Sequence, residues 1–194
     1  MKLVGVIIPF LILSANVRAQ NLIVEEGVGI GRLKLGQSLE EVINVLGFQG
    51  ELKSYDDYLA EELFNEDPEI ALECAIGFDY YIKFEHLITL PVSYVFFKDN
   101  SISQIKISSF PEYFFAIARD TRTKNGLNFW SQGSEITEIY GSPDLQVNYD
   151  NFILDSYFYF DRGITFNLRE DNYRSAHIYS KLNSDIVDKF TNEF

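Results

Sequence analysis

The sequence predicts an α+β fold of two tandem helix-plus-antiparallel-meander repeats, with the helices packed on one side of the antiparallel sheet. A helix phrase written twice is the first reason. Leu33-Lys-Leu-Gly-Gln-Ser-Leu-Glu-Glu-Val-Ile-Asn-Val-Leu-Gly47 aligns without a gap on Leu127-Asn-Phe-Trp-Ser-Gln-Gly-Ser-Glu-Ile-Thr-Glu-Ile-Tyr-Gly141, a numbering offset of 94 (127 − 33). A strand pair written twice is the second. Val95-x-Phe97 with Ile102, Ile105 and Ile107 matches Phe166-x-Leu168 with Tyr173, Ala176 and Ile178, at an offset of 71 (166 − 95). Third, an aromatic strand precedes each pair: Phe78 to Phe84, and Tyr157 to Phe160, which turns through Asp161-Arg-Gly163. Each unit therefore reads as a helix followed by three strands.

Residues 1–19 read as a signal peptide. Lys2 supplies a short positive region, Leu3 to Leu13 is an apolar run too short to span a bilayer, and Val17-Arg18-Ala19 offers a small-residue cleavage site. Cleavage after Ala19 leaves Gln20 to Phe194 as the mature chain, with no cysteine at the new N-terminus to carry a lipid. The expected product is exported, periplasmic or extracellular, soluble, not lipidated, and without membrane insertion after signal removal.

The first repeat spans 20–110, with Gly27-Val-Gly-Ile-Gly31 as its flexible approach. Ser38 and Glu41 form a capping box, Leu39, Val42, Ile43 and Leu46 fall on one helical stripe, and Gly47 stands where a left-handed residue ends a helix. Because the offset falls from 94 to 71, this unit is the longer by 23 (94 − 71), an excess placed in an acidic helical insertion at about 51–77. Leu59, Leu63, Phe64, Ile70, Leu72 and Ile76 give that segment enough apolar content to pack as ordered surface helix around a break at Asp67-Pro68.

Residues 111–124 read as a connecting helix begun by Pro111, with Arg119, Arg122 and Lys124 at the end where cations complement the helix dipole. The second repeat spans 125–183. Its helix keeps Ile136, Ile139, Tyr140 and Gly141 but loses the capping box, since Gln132 replaces the serine. Residues 184–194 hold a short C-terminal helix that folds Ile186 and Phe190 onto the body.

The phrase Gly36-Gln-Ser-Leu-Glu-Glu-Val-Ile-Asn-Val-Leu-Gly47, followed by a meander and duplicated in an exported chain, resembles the beta-lactamase-inhibitor-protein-like and BamE-like (SmpA/OmlA) folds. The resemblance implies helices packed on an antiparallel sheet, and tandem copies whose concave sheet surface grips another protein. The inhibitor proteins carry cysteine pairs, whereas this chain has Cys74 alone; BamE-like proteins are lipoproteins, and the lipidated cysteine is missing here. No contact residue carries over from either family.

Catalytic and metal signatures are sparse. Cys74, within Ile70-Ala-Leu-Glu-Cys-Ala-Ile76, reads as a structural thiol, since no basic residue stands near it in sequence. His86 and His177 have no neighbours at ligand spacing, so neither predicts zinc, and the sequence calls for no cofactor. The net charge of −13, or −15 once Lys2 and Arg18 are removed, disfavours nucleic acid and anionic membrane as partners. What stands out is the aromatic content, 17 Phe and 12 Tyr with Trp130 as a core anchor between the units. With the phenylalanines inward, Tyr80, Tyr81, Tyr157 and Tyr159 are the candidate partner-binding face. Asp56, Asp57, Glu61, Glu62, Glu66 and Asp67 are a candidate acidic surface. The expected function is non-enzymatic binding of another exported or envelope protein through a sheet face. The alternatives are an envelope hydrolase acting through a carboxylate pair and a structural envelope component.

Overall fold

Strand-period alternation of apolar residues builds the sheets around which the fold is organised. The computed structural model describes residues 22–46, 51–62, 68–84, 92–108, 121–149 and 154–192. The described chain opens with β1 (Leu22–Glu25), β2 (Gly29–Ile30), β3 (Leu33–Lys34) and α1 (Leu39–Leu46). Next come β4 (Glu51–Ser54), α2 (Tyr55–Glu62), α3 (Pro68–Ile76), β5 (Tyr80–Lys83), β6 (Val92–Lys98) and β7 (Ser101–Ser108). β8 (Thr121–Thr123), α4 (Gly133–Tyr140), β9 (Leu145–Tyr149) and β10 (Leu154–Tyr159) precede β11 (Ile164–Arg169), β12 (Asn172–Tyr179) and α5 (Ser184–Thr191). The fold is α+β, with five helices among the described residues. An eight-stranded antiparallel sheet runs in the order β4-β5-β6-β7-β12-β11-β10-β9, beside a small mixed sheet, β3-β2-β1-β8, in which β1 and β8 are parallel.

The large sheet consists of two four-stranded meanders, β4 to β7 and β9 to β12, joined along β7 and β12. They correspond position by position. Asp99 and Asn100 turn β6 into β7 with φ of 51° and 60°; Glu170 and Asp171, at the same offset of 71 (170 − 99), turn β11 into β12 with φ of 52° and 61°. Two left-handed central residues are what a type I′ hairpin requires. The ladder also shifts register at Phe96/Phe97 in one meander and at Asn167/Leu168 in the other, again offset by 71 (167 − 96). Gly36 N–H donates to Ile102 O at 2.8 Å, and Trp130 N–H donates to Tyr173 O at 2.9 Å in the same role. A non-glycine residue in the left-handed region costs roughly 1 kcal/mol, less for asparagine. Glu170→Asn is therefore expected to raise stability by about 0.5 kcal/mol, read as a higher thermal midpoint.

Several expectations need correction. Each meander has four strands, not three, because Glu51–Ser54 and Leu145–Tyr149 form the outer edges. Glu51–Ser54 holds a single apolar residue and gives no period-2 signal, whereas Leu145-Gln-Val-Asn-Tyr149 alternates apolar and polar residues and carries one. Leu52 pairs with Ile82 and Gln146 with Tyr157, and the two first members are offset by 94 (146 − 52). The excess of the first unit is therefore split. The numbering advances by 30 from Leu52 to Ile82 (82 − 52) but by 11 from Gln146 to Tyr157 (157 − 146), which puts 19 (30 − 11) between β4 and β5. The remaining four lie between β5 and β6, where the advance is 13 from Ile82 to Val95 (95 − 82) and 9 from Tyr157 to Phe166 (166 − 157).

Second, the helices do not share one side of the sheet. Val42 of α1 and Ile136 and Tyr140 of α4 bury Ile82, Val95, Phe97, Ile105, Phe166, Leu168, Ala176 and Ile178. On the other face, Leu72 of α3 and Phe190 of α5 cover Phe158, Phe160 and Tyr179, while α2 seats Tyr58 among Phe78, Tyr81 and Phe96. The strands place large apolar side chains on both faces, and at about 25 cal/mol per Å² neither face is left to water. Phe190 is buried and Ile186 half-buried, as the C-terminal helix was expected to place them. Third, the end of the 111–124 connection is strand: Thr121–Thr123 forms β8 against β1. Residues 1–19, Gly47, His86 and residues 111–120 of the connecting segment, Pro111 and Arg119 included, lie outside the described residues.

The caps follow the sequence more closely. Ser38 N–H donates to Glu41 Oε2 at 2.7 Å and Glu41 N–H to Ser38 Oγ at 3.3 Å, the predicted box. The box persists in the second unit, against expectation, because Gln132 N–H donates to Glu135 Oε2 at 2.7 Å. Gly133 opens α4 where the chain passes close to the sheet. A Cβ there would lie 2.6 Å from Asp171 Oδ1, 2.9 Å from Leu168 Cδ2 and 2.9 Å from the Tyr157 hydroxyl. Gly133→Ala is expected to destabilise by about 1–3 kcal/mol through overpacking, although alanine is the better helix former. A raised urea midpoint in that variant would contradict the packing.

Candidate functional site

Alternation along the central strands divides polar from apolar residues. β7 sends Ile105 and Ile107 to the α1/α4 face and Gln104 and Lys106 to the other. β11 and β12 do the same, with Phe166, Leu168, Ala176 and Ile178 on one side and Thr165, Asn167, Ser175 and His177 on the other. The centre of the second face is thus polar, between an aromatic patch around Phe96 and another around Phe158. Lys106 and His177 stand opposite each other across the join. Their numbers differ by the repeat offset of 71 (177 − 106), so matching positions of the two meanders meet there.

α3 lays two carboxylates onto this band. Glu69 and Glu73 stand one helical turn apart and share one side of the helix. Lys106 Nζ lies 2.8 Å from Glu69 Oε2 and 3.2 Å from Glu73 Oε1. The Tyr58 hydroxyl donates to Glu73, and Asn167 Nδ2 donates to Glu69. Asn167 is itself held by Ser156 Oγ, which donates to its Oδ1 at 2.8 Å, and it donates to Ser175 Oγ at 2.9 Å. Gln104 Nε2 donates to the Glu73 carbonyl at 3.1 Å, and the Tyr94 ring lies 5.7 Å from Lys106 Nζ. Glu73 and His177 are 0% exposed and Glu69 is 4% exposed.

Charge here is unevenly matched, with two carboxylates on Lys106. Burial pushes the Glu73 carboxyl up to about 7 against the opposing charge of Lys106, and the Glu69 carboxylate adds to the rise. At Glu69 burial acts in the same upward direction, but the charge of Lys106 and its hydrogen bonds hold the carboxyl below the usual range. Burial takes the His177 imidazole down to about 3, with Lys106 assisting and Glu69 opposing. The resulting cluster carries a proton on Glu73 and none on His177 in mildly acidic solution.

The residues singled out in the sequence are placed differently from expectation. Tyr81 is buried under α2, its hydroxyl donating to Glu61 at 3.0 Å. Tyr157 and Tyr159 are buried on the opposite face under α4, and half-buried Tyr80 shares that face, donating to Asn100 Oδ1 at 2.7 Å. The four tyrosines therefore form no single exposed surface, because helices cover both faces. Of the acidic set, Asp56, Asp57 and Glu61 are exposed. Asp57 accepts from Ser54 N–H at 2.9 Å, capping α2, and Glu61 pairs with Lys53. Glu66, Asp67 and the Glu62 side chain lie outside the described residues. Cys74 is half-buried, and Trp130 packs against the core under α1 and α4.

Sequence reading missed Glu69, Glu73, Lys106, Asn167 and His177 as a group. The signal was the off-phase set of the matched strands, Gln104 and Lys106 against Ser175 and His177, which alternation alone reads as solvent-facing. Among the described residues, no group of three or more His, Cys, Asp and Glu is placed to hold a metal ion, and no helix is long and apolar enough to cross a membrane. No family model, curated protein or solved structure matches the chain.

Proposed function

We propose that the protein is an exported, non-enzymatic module of two tandem repeats that binds another protein through the second face of its sheet. The observation that supports this is the polar band of Gln104, Lys106, Thr165, Asn167, Ser175 and His177 in the middle of an aromatic face. A layer serving stability alone gains by being apolar, since each buried polar group costs free energy until it is bonded. Recognition surfaces instead combine aromatic area with a few placed polar groups, and this face, which α3 covers in the chain itself, has that composition. The resemblance to tandem sheet-binding folds implies the same mode of action, through a sheet face that helices cover here. Export rests on residues 1–19, so the partner is another exported or envelope protein. The mature chain used as bait in intact envelope extract is expected to recover one specific protein. Recovery of none, together with turnover of a glycan or peptide substrate, would overturn the reading.

One observation favours the hydrolase alternative. Glu69 and Glu73 share Lys106, and their surroundings drive one carboxyl down and the other up, the separation that assigns base and acid roles. Substrate turnover abolished by Glu73→Gln, with the fold intact, would select that alternative.

A further inference from the structure

The described ends of the acidic insertion meet at the edge of the sheet. Ser54 and Tyr80 are partners across β4 and β5, and Tyr55 N–H donates to Asp79 O at 3.1 Å. α2 and α3 thus leave the sheet and return to it at adjacent residues. Neither α2 nor α3 takes part in the pairing of the eight-stranded ladder. What holds them down is side-chain contact: Glu69 and Glu73 on Lys106, Tyr58 in its aromatic nest, and Leu72 against Phe158 and its neighbours.

The fit beneath them is incomplete. His177 is fully buried, yet neither ring nitrogen has a hydrogen-bond partner, and Gln104 Oε1 has none either. Buried polar atoms are nearly always bonded, and each exception calls for a physical account. Here both side chains belong to the band that receives the α3 carboxylates. α3 uses Lys106, Asn167 and the Gln104 amide, and leaves three further polar atoms of the same band unused.

We propose that the second face, centred on Lys106, Asn167 and His177, is a docking slot for a helix bearing two carboxylates one turn apart, which α3 fills in cis and an acidic partner helix fills in trans. The inference rests on the protein-binding reading above. The slot's cation and amide donors fit carboxylates, and the phenylalanine and tyrosine patches on either side fit the apolar residues flanking them. A partner helix that also bonds His177 and Gln104 gains contacts that α3 does not make, and this favours exchange. Electrostatic complementarity then selects acidic helices over basic ones.

The test uses the full mature chain and, as probe, a fluorescent peptide covering residues 55–79 of the same sequence with Cys74→Ser. Its binding is followed by anisotropy. A chain carrying Glu69→Gln and Glu73→Gln in its own insertion is expected to bind the peptide at least tenfold more tightly than wild type. A peptide with glutamine at both positions is expected to lose that gain, as is the double variant with Lys106→Gln added. Equal peptide affinity for wild type and the folded double variant overturns the slot. Should the variants fail to fold, hydrogen exchange on the unmodified chain decides. The α2 and α3 amides are expected to exchange at least tenfold faster than those of β7 and β12, and equal protection overturns the proposal. A partner recovered from envelope extract that binds Lys106→Gln as well as wild type overturns the slot and leaves the binding reading standing. Peptide capture without any envelope partner, together with turnover of a glycan or peptide substrate, overturns the binding reading and leaves only the contact that α3 makes in cis.

Discussion

Lys106→Met is expected to cost the fold about 3–5 kcal/mol at pH 8, read as a lowered urea midpoint with an unchanged m-value. The substitution keeps an unbranched apolar stem against the Tyr94 ring but removes the cation 2.8 Å from Glu69 and 3.2 Å from Glu73. Two carboxylates are then left under α3 without the lysine charge beside them. The loss should be smaller at pH 5, because both carboxyls can take up protons once the lysine is gone. Adding Glu69→Gln and Glu73→Gln to Lys106→Met should recover most of the stability, since a neutral, hydrogen-bonded set no longer carries buried charge. A change of less than about 1 kcal/mol in the single variant would mean that water reaches the ion cluster freely.

The same cluster shows where the sequence is legible and where it is not. The strands β6, β7, β11 and β12 and the Ser38–Glu41 cap are local, so propensity and spacing reveal them. Spacing also located the excess length of the first unit, though the sheet divides it into two unequal parts. What lies beyond local pattern is which surface a helix covers. Glu69 and Glu73 look like solvated acids on a helix, and Lys106 and His177 look like the wet phase of two strands. They become one buried site because α3 also carries Leu72 into the Phe158 patch, and the polar residues follow their helix inward. The tyrosines fail for the same reason. Tyr157 and Tyr159 alternate with Phe158 and Phe160 as read, but helices exist on both sides of the sheet to receive either set.

The pH profile of stability should carry the imprint of Glu73 and His177 with opposite signs. Glu73 is raised from 4.5 to about 7, so its contribution is complete below pH 4.5 and is lost as pH rises through 7. Its full size is roughly 3 kcal/mol, at about 1.4 kcal/mol per unit. His177 is lowered from 6.5 to about 3. The unfolded chain binds that proton and the native one does not, so its contribution is complete above pH 6.5 and is lost as pH falls toward 3. Between pH 4.5 and 6.5 the two slopes each correspond to one proton and cancel, leaving a plateau. Below 4.5 Glu73 no longer offsets His177, which is joined by Glu69, whose lowered carboxyl also loses its contribution as pH falls. The raised Asp155 carboxyl acts in the opposite direction. Above 6.5 Glu73 gives a small further decline that ends near 7. Glu73→Gln should abolish that decline and turn the plateau into a rise of stability with pH. His177→Phe, which suits a site beside Phe96 and Tyr179, should turn the plateau into a fall from 4.5 to 7. It should also add stability at acid pH by removing two unbonded nitrogens. Urea midpoints measured at half-unit intervals from pH 4 to 8 separate these three curves. If wild type and both variants share one shape, neither group is linked to folding, and α3 is not held by the charges beneath it.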